Sequence, residues 1–593
     1  MRLYWCEDLN VPVLDPRSAA DRCSAIHVSY VTDPGDVRPA FRADIEITRR
    51  AVANELGDWE IASRLVPDGE LVLLNKIPGY ADQADEVIVR GRVVGHRFYD
   101  VLEGRWRFRP LYEGVSELLA MRRGWWAVVD MEELPVNYDI HEDRIVDGLL
   151  PDKKYAHVAL ATRDGRIHGV AKLFRGRRLH VVKSWRAKPR LPEGKPSDLK
   201  AFAELNKDYI ERKAKKAVEF LAHVFSQYRL PVVVSYSGGK DSLVALDLTS
   251  RTGHKFYILF NDTGLEAPET YENVRKVADA YKAELIIASA GGRFWSAVKE
   301  FGPPARDYRW CCKVIKLAPI TKALEERFPQ GAISVVGQRA AESFQRARLN
   351  KISSSRWVAK TIVAAPIQEW SALEVWGYIV LRGLPYNEAY ERGFDRLGCL
   401  VCPANEMAEL ELVKEHYGDV YKKMEEVVLG FYGDRRYVQL GLWRWKRKIP
   451  GDLARLLKAE VEQKYPIGVK AKEDEVELEG VRPDVETALQ LLKMMGKVAV
   501  KDGVVEVEGR GGGLRISKGL THIVGEGALD AAALVVRSYI CGHCDLCISW
   551  CPTKALRRNE AGKFVVDENK CIGCLLCSKA CPAAQYLVHR ATE

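Results

Sequence analysis

From about Leu199 to Tyr228 apolar residues recur at helical spacing, and the chain then enters "LPVVVSYSGGKDSLVALDLTS". A short apolar run, a glycine pair and a second helical run predict strand, turn and helix in succession. The order repeats: "KFYILFNDTG" predicts a strand, a helix follows around Thr270 to Tyr281, and "AELIIAS" predicts another strand. Strands alternating with helices predict a parallel, doubly wound sheet over about 216–405. Upstream, "YAHVALATRDGRIHGVAKLFRGRRLHVVKSW" alternates apolar and polar positions between "RDG" and "RGR", which predicts a small β unit. "RAKPRLPEGKPSD", from Arg186, is rich in proline and charge and predicts a linker. Beyond Asn405 the pattern is helical and charged to about Lys464. "KVAVKDGVVEVEG" then predicts a hairpin around Lys-Asp-Gly, and the helix "ALDAAALVVRSYI" leads into a cysteine-rich tail.

Composition narrows this picture. At 593 residues the chain is too long for one core, so about three to five domains are expected. Hydrophobic content of 47% and charged content of 29% describe an ordinary soluble protein. "MRLYWCEDLN" has neither a basic nor an apolar leader region, and no apolar run approaches about 18 residues. A cytoplasmic chain with no membrane partner is expected. The net charge of +9 permits an anionic partner such as a nucleotide or RNA without demanding one. The 14 cysteines change the picture more, because dense cysteine in a reducing compartment points to metal or redox chemistry.

Most of that density lies in the tail. "CGHCDLCISWCP" supplies Cys541, Cys544, Cys547 and Cys551, and "CIGCLLCSKACP" supplies Cys571, Cys574, Cys577 and Cys581. Each reads C-x2-C-x2-C-x3-C-P, the run of two-cluster ferredoxins, in which the fourth cysteine of each run serves the other cluster. Cys541, Cys544, Cys547 and Cys581 are therefore expected to hold one 4Fe–4S cluster, and Cys571, Cys574, Cys577 and Cys551 the other. A pair of zinc sites is the simpler reading, but zinc sites seldom use this doubled spacing or the prolines Pro552 and Pro582.

"SYSGGKDS" does not fit the Walker pattern. It still ends a strand and opens a helix, so the backbone amides at Gly238 and Gly239 can form an anion nest. Lys240 adds charge, and Ser237 and Ser242 add hydroxyls. In this setting S-G-G-K-D-S resembles the PP-loop of the ATP pyrophosphatase superfamily. "NDTGLE", "CCKVIKLAPI", "GQRAAESFQRA", "PIQEWSALEVWGYI", "GLPYNEAY" and "GCLVCP" follow in the order of the phosphoadenosine phosphosulfate (PAPS) reductase family, over roughly residues 216–405. The resemblance implies an adenine nucleotide (ATP, adenylyl sulfate or PAPS) at Ser237, Gly238, Gly239, Lys240, Asp241, Ser242 and Asp262. It also implies contributions from Gly337, Arg339 and Ser343. Lys240, Asp241, Arg339 and Glu342 carry the expected catalytic roles, with Arg339 as a planar fork near the transferred group.

In the iron–sulfur branch of that family a tandem Cys-Cys and a later C-x2-C hold a 4Fe–4S cluster, which implies a third cluster at Cys311, Cys312, Cys399 and Cys402. Structural zinc, or buried thiols without metal, is the alternative. One family feature is missing. Sulfonucleotide reductases carry a nucleophilic cysteine in a C-terminal E-C-G-x-H stretch, whereas every cysteine here after Cys402 belongs to the doubled run.

The N-terminus resembles the zinc ribbon of archaeal members. Leu9 and Ile26 stand where second cysteines would be, so Cys6 and Cys23 cannot close a site unless Asp8 or His27 substitutes. The β unit resembles a PUA-type RNA-binding module, with a basic run of Arg175, Arg177, Arg178, Lys183 and Arg186. "LWRWKRK", residues 442–448, interleaves aromatic and basic residues that could stack bases or simply lie in a core.

The expected architecture is α/β multidomain. A degenerate ribbon-like segment (1–45), a small α/β region (46–114) and the PUA-like domain (115–190) precede a linker and helix (191–215). The PP-loop domain (216–405), a charged helical region (406–480), a small α+β region (481–535) and a bacterial-type two-cluster ferredoxin domain (536–593) follow. The expected function is reduction of adenylyl sulfate or PAPS to sulfite, with electrons relayed from a low-potential donor through the ferredoxin domain. The alternatives are ATP-dependent thiolation of tRNA or another nucleic acid, and a redox- and nucleotide-responsive RNA-binding protein without catalysis.

Overall fold

The computed structural model describes residues 2–589 apart from 30, 34, 153, 154, 175, 176, 356, 357, 359, 459, 463, 510 and 511. Arg175 of the basic run and the last residues of the tail lie outside the described residues.

The apolar run after Leu230 forms the strand Val232–Ser235, with Val232, Val233 and Val234 buried, as a strand covered on both faces requires. It sits within a six-stranded sheet. Phe256–Asp262 and then Glu284–Ser289 lie on one side of it, and Ala332–Val336, Thr361–Ala364 and Ile352–Ser354 on the other. All pairings are parallel except that of the edge strand Ile352–Ser354. Strand order therefore reverses at Val232–Ser235. In a doubly wound sheet, the crevice at the carboxyl end of that strand is where ligands bind. The expected helix appears as Pro268–Tyr281, opened by a proline in its first turn. Ala372–Arg382 begins with a capping box between Ser371 and Glu374 and stops at the left-handed Gly383.

Three small sheets precede this domain. Tyr4–Cys6, Val11–Val13 and Ala25–His27 form an antiparallel trio. Arg38–Pro39, Val72–Lys76, Ala84–Val89, Arg92–Asp100 and Arg105–Pro110 form a five-stranded antiparallel sheet. The expected β unit is a six-stranded mixed sheet that includes His157–Thr162, Ile167–Phe174 and Arg178–Arg186. Its basic run is partly neutralised, since Arg177 pairs with Glu142 at 2.8 Å and Arg178 with Asp139 at 3.2 Å.

The helical pattern after the linker is two helices, Leu199–Leu205 and Lys207–Tyr228. They break at Asn206, whose side chain accepts from the Leu14 amide at 2.7 Å. The linker itself is not a free tether. Leu191 is buried, its amide donates to Glu117 at 2.8 Å, and Arg90 donates to the Pro192 carbonyl at 2.8 Å. Proline and charge there serve an extended strap over the N-terminal sheets.

Past residue 405 the chain is helical through Leu457, and a six-stranded antiparallel sheet then begins at Gly468, inside the stretch expected to be helical. The expected hairpin pairs Lys497–Lys501 with Val504–Gly509, and Asp502 and Gly503 turn at φ 48° and 75°. The aromatic part of "LWRWKRK" is core: Trp443 and Trp445 are buried and Arg444 and Lys446 have no exposure, while Arg447 is half-buried and Lys448 exposed. Arg444 pairs with Asp82 at 3.3 Å, and Lys446 Nζ lies among the rings of Phe431, Tyr308, Tyr465 and Tyr432 at 4.4–5.5 Å. The interleaving that suggested base stacking instead alternates buried aromatics with buried cations held by carboxylate or ring. Among the described residues, no helix is long and apolar enough to cross a membrane.

Candidate active site and cysteine clusters

Ser237 to Ser242 lie at the carboxyl end of the central strand, running into the helix Lys240–Ser250. Gly238 turns at φ 77°, a conformation open to glycine, and a Cβ there would meet Thr270 Cγ2 at 2.8 Å. The Ser242 hydroxyl donates to the Gly239 carbonyl at 2.9 Å and accepts from the Ser237 amide at 3.3 Å, which fixes the loop. Gly337 ends the neighbouring strand so close to this loop that a Cβ would lie 2.3 Å from the Ser242 amide nitrogen. Asp262, at the end of the next strand, accepts from Gly264 N at 2.9 Å, Tyr271 Oη at 2.7 Å and Ser289 Oγ at 2.7 Å.

The charged residues of the site answer one another. Lys240 Nζ lies 3.0 Å from Asp241, its amide donates to Tyr390 Oη at 3.0 Å, and its ammonium faces that ring. Burial opposes the charge of Lys240, but Asp241, Tyr390 and Asp395 together outweigh it and hold the pKa above the ordinary value. Asp241 is likewise held below the carboxylate range, against its burial, by Lys240 and Arg339. Arg339 is only 2% exposed: Nε donates to Asp241 at 2.6 Å and Nη1 to Asp36 at 2.9 Å. Glu342 accepts from the Arg339 amide at 2.9 Å and pairs with Arg346, and Ser343 caps the short helix Phe344–Ala347.

Sequence reasoning missed the N-terminal contribution. Asp36 also accepts from the Ala372 amide at 2.8 Å, and Arg38 reaches Asp395 at 3.0 Å and Asp44 at 2.7 Å. Burial raises the Asp395 carboxyl, but Arg38, Lys240 and Lys76 together bring it down to about 2. Only "GFDRLGC", which places Asp395 four residues before Cys399, offered a signal.

The tandem cysteines close the helix Trp310–Cys312, followed by the π-turn Lys313–Leu317, a feature often found at functional sites. Cys399 and Cys402 share a turn, in which the Cys402 amide donates to the Cys399 carbonyl at 3.2 Å. The Cys311 thiol is pushed well up by its hydrogen bond to Cys312, by burial and by the sulfurs of Cys312, Cys402 and Cys399. Cys312 is brought down to about 6 by the Cys311 hydrogen bond, aided by Lys316, Arg309 and Arg396 against burial. Thr263 Oγ1 lies 3.5 Å from Cys399 Sγ, next to Asp262, so one loop borders both the nucleotide crevice and these sulfurs.

In the tail, burial raises Cys547, and the neighbouring Cys581, Cys544 and Cys541 sulfurs raise it further. Cys577 is raised first by burial and then by Cys551 and Cys571. A cavity is lined by Cys551, Cys571, Cys574 and Cys577 together with Met494 and Pro552. Cys541, Cys544 and Cys581 thus neighbour Cys547, while Cys551, Cys571 and Cys574 neighbour Cys577. Four thiolates around one zinc ion would sit about 3.8 Å apart, given a Zn–S bond of about 2.3 Å. Among the described residues, only Cys6, Asp8 and Cys23 bring three ligand atoms within 4.8 Å of one another. Among the described residues, neither tail set nor the tandem set brings three ligand atoms that close, although Cys311 and Cys312 are near enough to hydrogen-bond to each other. Cys6 and Cys23 themselves form a disulfide, and His27 is exposed against Tyr4.

The tail packs directly on the tandem-cysteine turn. Lys313 Nζ donates to the carbonyls of Ala580 at 2.8 Å and Lys579 at 3.2 Å, immediately before Cys581. Gly542 lies against Val314 and Phe301, so closely that a Cβ would meet Val314 Cγ2 at 3.0 Å.

The sequence profile of the phosphoadenosine phosphosulfate reductase domain matches residues 231–405. A protein of Staphylococcus epidermidis named adenosine 5'-phosphosulfate reductase is 31% identical over 207 residues, 33% of this chain and 81% of that protein. The chain belongs to the PAPS reductase family. Its PAPS reductase domain is joined to a 4Fe–4S dicluster domain, whose profile matches residues 540–584 and supports two 4Fe–4S clusters in the tail. Over more of its length this PAPS reductase family chain resembles an uncharacterized protein of Methanocaldococcus jannaschii, 34% identical over 484 residues, 76% of this chain and 97% of that one. A crystal structure of phosphoadenylyl-sulfate (PAPS) reductase from Candida auris, in a phosphate complex, is similar over 32% of this chain and 95% of that one. Its sequence identity is 25% and its TM-score 0.25.

Proposed function

We propose that the protein reduces a sulfonucleotide, adenylyl sulfate or PAPS, with electrons that enter through its own dicluster domain. The observation that carries this reading is the docking of that domain on the tandem-cysteine turn through Lys313 and Gly542. The reaction takes two electrons and a proton, breaks the bond between the phosphate oxygen and sulfur, and releases sulfite and the nucleoside phosphate. Cys541, Cys544, Cys547 and Cys581 would hold one cluster, Cys551, Cys571, Cys574 and Cys577 the second, and Cys311, Cys312, Cys399 and Cys402 a third. Bound there, the clusters would supply one-electron transfer. The chain's own groups do the rest. The amides at Gly238 to Lys240 would receive nucleotide phosphate, Lys240 would balance its charge, and Asp262 would border the nucleotide. Lys316 and Arg396 keep positive charge beside the tandem sulfurs.

The test is anaerobic. Purified chain should carry about twelve irons, three clusters of four. With a reduced low-potential donor it should release sulfite from adenylyl sulfate or PAPS. About eight irons would remove the third cluster, and no sulfite from either nucleotide would overturn the activity.

One observation favours thiolation of a nucleic acid instead. Outside the three proposed sets the only cysteines are Cys6 and Cys23, joined to each other, so no free thiol is present to attack sulfur. Under that reading ATP would adenylylate an oxygen on tRNA with release of pyrophosphate, and sulfide from an outside donor would displace it as AMP. Loss of a thionucleoside from the tRNA of a deletion strain, without any sulfite release by the protein, would decide for it.

A further inference from the structure

Arg537 lies in the last turn of the helix Ala528–Tyr539, four residues before Cys541, and is 2% exposed. Its Nη1 is 3.9 Å from Cys577 Sγ, and the guanidinium lies 5.5 Å from the centre of the Phe564 ring. Nε and Nη2 are both buried and have no hydrogen-bond partner. Among the described residues no carboxylate pairs with it. Cys577 belongs to one tail set, and Cys541, four residues beyond Arg537 in the chain, opens the other. Arg558, the other arginine beside these cysteines, differs on each point. It reaches only Cys541, at 3.3 Å, and Asp545 neutralises it at 2.7 Å.

A buried guanidinium with two orphaned nitrogens is costly unless negative charge lies beside it. The converging cysteines can provide that charge, because four thiolates outweigh the positive charge of an iron–sulfur core. We propose that Arg537 is a positioning residue shared by the two tail clusters, a fixed counter-charge between them that raises both reduction potentials. The proposal rests on the two-cluster reading of the tail. Net charge and hydrogen bonds to sulfur are the terms through which a protein sets such potentials. A charge placed between two sites acts on both, whereas a single hydrogen bond to Cys577 would act on one.

The test is a potentiometric titration of the full anaerobic chain, followed by electron paramagnetic resonance, with iron counted in parallel. Arg537→Met should keep its iron while both tail midpoints fall by about 59 mV or more, a tenfold loss in each one-electron reduction constant. Arg537→Lys should recover part of both shifts. Unchanged midpoints at full iron overturn the proposal, as does a shift in one cluster alone. Should Arg537→Met lose iron, Arg537→Gln and Arg537→Lys decide. Iron kept only with lysine supports the counter-charge, and iron lost with both shows a packing role and overturns it. A wild-type chain whose tail binds no iron would overturn the two-cluster reading itself.

Discussion

Gly337→Ala should cripple nucleotide binding although residue 337 has no side chain to offer a nucleotide. A Cβ there would meet Ser242 N at 2.3 Å, Asp241 C at 2.4 Å and Asp241 O at 2.5 Å. All three are backbone atoms of the first turn of the helix Lys240–Ser250, so no side chain can rotate away. The φ of Gly337 is not in the left-handed region, so the requirement is space and not conformation. Relief needs the strand end and the loop to part by roughly an ångström, an overpacking of about 1–3 kcal/mol. The loop amides move by the same amount from their phosphate positions. Affinity for ATP or adenylyl sulfate should therefore fall about 5- to 150-fold. Isothermal titration calorimetry of the full chain measures this. Gly418→Ala, where nothing lies within 4 Å of the added Cβ, is the control and should bind normally. Binding by Gly337→Ala within twofold of wild type would refute the reasoning.

Three further outcomes are expected. Lys446 is brought down to about 7 by burial, with Asp307 opposing, while the unfolded value is about 10.4. Between those values the unfolded chain binds more protons, so wild-type stability should rise with pH from about 7 to 10. Lys446→Met should remove that rise in urea denaturation, and parallel pH profiles would contradict it. Lys313→Met would orphan the Lys579 and Ala580 carbonyls, at about 1–3 kcal/mol. Hydrogen exchange at residues 579–581 should accelerate, and unchanged protection would count against the docking contact. Trp445→Ala should destabilise the chain by about 3–5 kcal/mol, because the ring is buried beside Arg306 and Arg444. An unchanged melting temperature with impaired RNA binding would restore the stacking interpretation.

Much of the nucleotide domain was legible because its information is local. The run "PVVVSYSGGKDS" contains strand, turn and helix start within a dozen residues, and the doubled C-x2-C-x2-C-x3-C-P run carries its pairing rule in its spacing. The hairpin at Asp502-Gly503 was legible for the same reason. "LWRWKRK" was ambiguous because stacking on a base and packing in a core use the same residue types. Its Arg444 is placed by the Asn405 carbonyl, 39 positions away, and by Asp82, some 360 positions away in the chain. The linker departs from its expectation because proline and charge report extended backbone, not freedom, and Glu117 and Arg90 that pin it are distant in sequence.

The contacts that assemble the site share this property. Asp36 meets Arg339 across 303 positions, and Lys313 meets Ala580 across 267. No window of sequence contains both partners. Arg339 shows the consequence. As an isolated arginine in "GQRAAES" it reads as a fork for an incoming oxyanion, but Asp241 and Asp36 already occupy its Nε and Nη1. Its first duty is to tie the N-terminal segment and the helix Ala372–Arg382 to the loop that begins at Ser237. Through Nε and Nη1, Arg339 braces parts of the chain that the sequence keeps far apart. The same logic explains Arg537. A single charge stands in the apolar run "ALVVRSY", but its partner Cys577 lies 40 positions further along the chain.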